Sequence, residues 1–283
     1  MSSVTTEIDR IVLTYIRSVK YISHDELLRS FKLIKSRSET DNEVQEEGID
    51  PLQWESLLDK SLSTINTNIS RHGFKIDRKK DEISGELYFI FINTVSDDII
   101  KQNTNYSVPE LDAIKSVIDD IVEASGYQFS IGRVNAQQRV AANLSRTLRD
   151  SSSFVDKLID DGWFISTLDG TRLLLSIKSL SELKNYLIDR YGTTADEGNR
   201  GKMHLCHHCK EIVTLGYTST RDGHIQSFHY KCYDVYIRSS GSKPDPDQML
   251  TQIGIDPSAI SGTVSQNFID TRSQLNSSNA VML

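Results

Sequence analysis

The three cysteines and five of the seven histidines of this 283-residue chain crowd into one short stretch. Cys206 and Cys209 form a C-x2-C pair, and after residues 210–228 His229 and Cys232 form an H-x2-C pair. Either spacing lets one turn aim two side chains at a single point, and thiolate with neutral imidazole are the ligands zinc prefers. Three thiolates and one imidazole complete a tetrahedron and leave no position for water or substrate. The chemistry predicted is therefore structural: one Zn2+ that supplies folding free energy to a segment too short to bury much of a core. His204, His207, His208 and His224 could each replace His229. The H-x2-C spacing favours His229, and the other four are expected to face solvent. The competing reading, buried cysteines and surface histidines without metal, does not explain why every cysteine falls into two such spacings.

Composition removes several function classes. Lys plus Arg number 32 against 39 for Asp plus Glu, a net charge of −7, whereas a non-specific DNA binder needs a net basic surface. An odd cysteine count argues against a disulfide-stapled secreted scaffold. The longest apolar run, Leu87–Ile92, is far short of the roughly 20 residues of a membrane span. Met1–Arg10 has no apolar segment of secretory type. A soluble intracellular chain with no membrane partner is expected. No Ser/His/Asp arrangement for nucleophilic catalysis is readable.

The elements that must position the cluster follow from periodicity. Ile8, Ile11, Val12, Tyr15, Ile16 and Val19 mark one helix face, and Ser23 with Glu26 opens a second helix running to about Ser36. Pro51 starts a third helix that reaches about Ser70. Phe74–Arg78 and Glu86–Asn93 read as a hairpin. The order then recurs, with helices over 107–124, in two pieces within 130–149, and around Phe154–Ile159. A second hairpin follows at Asp169-Gly170, and a last helix spans 179–191. Helix, helix, helix, hairpin, twice over, predicts an α+β chain of two tandem winged-helix domains, residues 1–102 and 103–192. A Gly-rich linker over 193–202 leads to a zinc finger, 203–238. Residues 239–283 read as a disordered tail with a short helix near Asp247–Ile253.

The run Cys206-His-His-Cys209-Lys-Glu-Ile-Val-Thr-Leu-Gly216, followed by Phe228-His229-Tyr-Lys-Cys232, resembles part of a RING-like finger. In detail it is similar to the variant RING of the non-SMC element one family, a subunit of the SMC five–six DNA-repair complex. Residues 92–122 resemble that family's junction between winged helices, and Phe154–Leu187, with Asp161-Gly162-Trp163, resembles the segment before its RING. The resemblance covers about residues 1–238. It implies a chromosome-associated nuclear protein of DNA repair and recombination, whose winged helices bind a MAGE-like subunit that in turn holds a kleisin.

It also implies a ubiquitin ligase acting with a conjugating enzyme, and here the sequence departs from the pattern. Such a finger holds two metals through eight ligands. The four kept here match one set; Ser219 stands where the third ligand falls, His224 is nearest the fourth, and no cysteine pair follows Cys232. A degenerate RING-like finger with one metal site is expected. His207 and His208 hold the place of the apolar contact to the conjugating enzyme, which predicts weak transfer.

Winged helices often read DNA. The candidate wing carries Lys75, Arg78, Lys79 and Lys80, and the candidate helix Arg133, Arg139, Arg146 and Arg149. Asp77, Asp81 and Glu82 interrupt the wing, so direct DNA binding is expected to be weak and any DNA contact mostly indirect. The alternative function is a winged-helix transcription regulator with a structural zinc knuckle.

Overall fold

The computed structural model describes residues 6–38, 50–94, 106–194, 201–221, 224–240 and 250–260. Its contacts separate two units. The first comprises residues up to Asp81 together with Glu86–Asp97, and the second comprises Glu82–Gly85 with the chain from Asp98 onward.

In the first unit α1 (Glu7–Val19) opens on a capping box between Thr6 and Asp9 and ends where Lys20 turns to φ +72°. That break lets Tyr21–Ser23 run straight into a short strand, β1, before α2 (His24–Ser38). Pro51 sits in the first turn of α3 (Pro51–Ile69), where its missing N–H costs nothing. β2 (Phe74–Lys80) and β3 (Leu87–Asn93) follow. The sheet order is β1-β3-β2, antiparallel throughout. Val12, Ile16, Leu27, Phe31, Leu58, Leu62 and Ile65 from the helices close on Ile22, Ile76 and Phe89 from the sheet. Asn66 on α3 pairs both its amide atoms with the backbone of Ile76, which ties the outer strand β2 to the helix.

The second unit repeats the order: α4 (Val108–Val122), β4 (Ile131–Gly132), α5 (Arg133–Leu144), α6 (Leu148–Asp160), β5 (Phe164–Ser166) and β6 (Arg172–Leu175). Its sheet order, β4-β6-β5, matches the first. The short strands β1 and β4 were not visible in the periodicity; each is too brief to show a period of two. The hairpin expected as a two-residue turn is wider. Thr167 N bonds Arg172 O, so residues 168–171 form the loop, with Gly170 at φ +71°. The expected helix over 179–191 breaks at Leu183 (φ −100°, ψ 11°) into α7 (Ile177–Glu182) and α8 (Lys184–Tyr191). Leu180 and Leu187 of the two pieces, and Leu183 between them, are still buried.

β7 (His204–Leu205) and β8 (Ile212–Val213) form a two-stranded ribbon. β9 (Gly216–Arg221) and β10 (His224–Phe228) lead into α9 (Tyr230–Ser240). Met203, Cys206, Ile212 and Val213 join the same core as Leu111, Ile118, Phe129, Trp163 and Leu187, so this segment and the preceding helices share one interior. Most of the expected tail lies outside the described residues. Within them, the helix expected at Asp247–Ile253 is instead a strand, β11 (Leu250–Ile253), paired with β9. Ile253 is fully buried in the shared core, and its unpatterned sequence gave no sign of that burial. Among the described residues no helix is long and apolar enough to cross a membrane.

Candidate metal centre

Two local devices bring the four side chains together. The first is the turn between β7 and β8. Lys210 N returns to Cys206 O at 2.9 Å, and Lys210 takes φ +62° to close the loop, so Cys206 and Cys209 face one way. The second is the start of α9. His229 immediately precedes the helix and receives Tyr233 N on its carbonyl at 2.9 Å, while Cys232 lies in the first turn. The turn is anchored against this second device because His207 N donates to Ser227 O at 2.7 Å.

The donor atoms of Cys206, Cys209, His229 and Cys232 all lie within 4.8 Å of one another. Zn–S bonds of about 2.3 Å put tetrahedral ligand atoms about 3.8 Å apart, so the quartet fits a metal with small closing movements. The histidine geometry is equally specific. His229 Nε2 lies 2.9 Å from Ile212 O, which can only accept, so Nε2 carries a proton. Nδ1 points at Cys209 Sγ (3.3 Å) and Cys232 Sγ (3.8 Å). A metal-ligating histidine is normally held by such a bond on its other nitrogen.

The electrostatics show donors competing for protons. Bonds from Cys209 and Cys232 hold the Cys206 thiol below its ordinary range against the upward push of burial. Cys232, bonded to Cys206 and Cys209, is pushed up. Burial lowers His229, but its bonds to Cys206, Cys209 and Glu82 outweigh burial and raise it to about 12, so Nδ1 holds a proton that an incoming ion must displace. Three sulfurs cannot all shed their protons without a positive charge to share, and a divalent cation supplies one.

The other histidines divide. His207 and His208 are exposed, the former with its ring against Phe228 and Tyr236. His204, expected at the surface, is fully buried. Its Nδ1 meets Ser227 Oγ at 2.8 Å, its ring packs on Tyr127, and burial pushes it down to about 4. Among the described residues only Nδ1 has a hydrogen-bond partner, and Nε2 is buried without one, so its burial as a neutral ring carries a cost that packing on Tyr127 and Phe129 must offset. His224 lies on β10, and its side chain is outside the described residues. Ser219, at the missing third-ligand position, is buried in β9 between Gln226 of β10 and Leu250 of β11. Among the described residues no second group of three or more such donors gathers.

The candidate DNA-contacting cations are largely engaged. Arg133 pairs with Asp156, Arg139 with Asp120 at 2.6 Å and Arg146 with Glu110 at 3.1 Å. On the first hairpin Lys75 pairs with Asp77 and Arg78 with Asp59, and Lys79 is buried. Sequence reasoning missed Glu82, which approaches His229; it read only as a charge diluting the wing.

A family model described as Nse1 non-SMC component of SMC5-6 complex matches residues 9–183, upstream of the cysteine cluster. Non-structural maintenance of chromosomes element 1 of Schizosaccharomyces pombe is 25% identical over 178 residues, 62% of this chain and 72% of that protein. The homolog in Xenopus tropicalis is 20% identical over 182 residues, 64% of this chain and 63% of that protein. In Xenopus laevis the figures are 18% over 191 residues, 67% and 66%. The chain thus spans about two thirds of the length of these relatives. A chain from a solved structure described as Nse1-Nse3-Nse4 complex superposes with a TM-score of 0.64, covering 90% of this chain and 100% of that one at 13% identity. At that identity the likeness is one of fold.

Proposed function

The chain belongs to the family of Nse1 non-SMC components of the SMC5-6 complex, and from that membership we propose that it serves as such a subunit, in DNA repair and recombination on nuclear chromosomes. The observation that carries the reading is the match over residues 9–183, continued by a fold likeness along nine tenths of the chain. We read each helix-strand-helix-helix-hairpin set as a winged helix. The sheet orders β1-β3-β2 and β4-β6-β5 support this, because in both a short strand between the first two helices completes the hairpin sheet. The winged helices bind a MAGE-like subunit and, with it, a kleisin; the like-folded chain from a solved Nse1-Nse3-Nse4 complex supports both partners.

The quartet Cys206, Cys209, His229 and Cys232 holds one Zn2+ in a closed site. Zinc supplies cross-linking there, not Lewis-acid chemistry. A RING-type ligase works by holding a conjugating enzyme's thioester in a reactive geometry. With exposed His207 and His208 in the usual apolar contact and strand β11 beside Ser219, transfer is weak in this chain.

Co-expression with the MAGE-like and kleisin subunits of the same organism tests the reading. A stable heterotrimer on gel filtration is expected. Failure to co-purify, with a selective footprint on duplex DNA, would install the transcription-regulator reading instead. The ion pairs on Arg133, Arg139 and Arg146 speak against that outcome.

A further inference from the structure

We infer that Glu82 is an outer-shell positioning residue of the metal centre, fixing His229 in the orientation that presents Nδ1 to the ion. The inference rests on the zinc reading and adds to it a residue far upstream of all four ligands.

Glu82 is buried and belongs with the second unit. Its Oε1 accepts from Thr214 N at 2.7 Å and from Leu215 N at 3.3 Å, and its Oε2 accepts from Thr214 Oγ1 at 2.6 Å. Oε1 also lies 3.4 Å from His229 Nε2. These bonds do two things. They fix the backbone immediately after Ile212 and Val213, the strand whose Ile212 carbonyl accepts from Nε2. They also place a second acceptor-only group at Nε2, so a neutral ring with its proton on Nδ1 would leave Nε2 facing two acceptors with nothing to donate. Both effects keep Nδ1, the nitrogen that meets the ion once its proton is displaced, on the sulfur side.

The turn that carries Glu82 is shaped for this place. Ile83 packs with Leu215, Tyr217 and Phe228. Gly85 takes φ +71°, and a methyl group there would meet Lys231 Cγ at 2.8 Å, within the His229–Cys232 pair. A side chain at 85 would hold the turn away from the ligand helix.

The test is metal binding by the full chain, using Co2+, whose visible bands report ligand geometry, and Zn2+ in competition with a chromogenic chelator. Glu82→Ala is expected to weaken binding 10- to 100-fold and to shift the cobalt bands. Glu82→Gln, which keeps an oxygen for the Thr214 and Leu215 amides, is expected to restore most of both. Unchanged affinity and bands in Glu82→Ala would overturn the inference. So would weaker binding with unshifted bands, which would make Glu82 a fold residue only. If Glu82→Ala does not fold, Glu82→Asp decides. Its shorter side chain cannot span Thr214 and His229 together, so affinity and bands like those of the unaltered chain would overturn the inference. An unaltered chain that binds neither metal would instead refute the zinc reading itself.

Discussion

At the scale of single residues the proposed zinc site turns on which ring nitrogen of His229 faces the sulfurs. The Ile212 carbonyl accepts a hydrogen bond from Nε2, so a substitution at any of the three cysteines leaves Nδ1 without its full set of partners. Cys232→Ser replaces a thiolate with a hydroxyl that zinc binds poorly. Native mass spectrometry should find one zinc per unaltered chain and none in the variant, and an unchanged count would refute the ligand assignment. From sequence this loss would be confined to residues 203–238. The shared core of Cys206 with Trp163 and Leu187 extends the damage to the helices before them. The convergence of these four side chains was legible because spacing encodes it directly. The burial of His204 was not, since residue type says what a side chain can do and nothing of its depth. Its hydroxyl partner, Ser227, lies 23 residues away.

At the scale of elements a helix was legible where it carries its own start signal and apolar face, and α9, which opens on no such signal, was not read. α4 is the clearest case. Ser107 and Glu110 close a capping box, and Arg146 donates to the same carboxylate. Burial alone would raise Glu110, but the Ser107 amide and hydroxyl, with Arg146, hold it below its ordinary 4.5. The sign follows from the direction. A carboxyl depressed in the folded state contributes stability that is present above its unfolded value and lost as pH falls through the folded one. Gln still closes the capping box, so Glu110→Gln should cost only the charge's share, about 0.3–1 kcal/mol at neutral pH. In urea titrations that difference should shrink as pH falls below 4.5; a constant difference would remove the charge from the account.

β11 is the opposite case. Four residues, Leu250–Ile253, have no period to read, and the partner strand β9 lies some thirty residues upstream across a helix. Gly254 follows at φ +80°, where a methyl group would stand 2.2 Å from the Thr214 carbonyl. Gly254→Ala forces a left-handed alanine, about 1–2 kcal/mol, and a backbone clash in addition. Thermal melting should show a clear loss of second-unit stability. An unaffected melt would mean that β11 is not held against this core.

At the scale of the whole molecule the two units carry separate cores, and the chain's two tryptophans report on them one each: Trp54 packs against the first core, and Trp163 lies inside the second. The metal quartet is wholly in the second unit. Structural zinc contributes its binding free energy to folding, and a ligand that binds only the folded form stabilises only the unit that holds it. Chelation should accordingly lower the unfolding temperature seen by Trp163 and leave that seen by Trp54 in place. Trp54→Phe and Trp163→Phe isolate the two signals in turn. The first substitution alters a half-buried side chain, whereas the second removes the largest buried one, so the Trp54→Phe chain is the sounder reporter of chelation. If the Trp54 transition fell together with that of Trp163, the two cores would melt as one and the metal would be stabilising the entire chain. If neither moved, the quartet would contribute nothing to stability and zinc's assigned task would be lost.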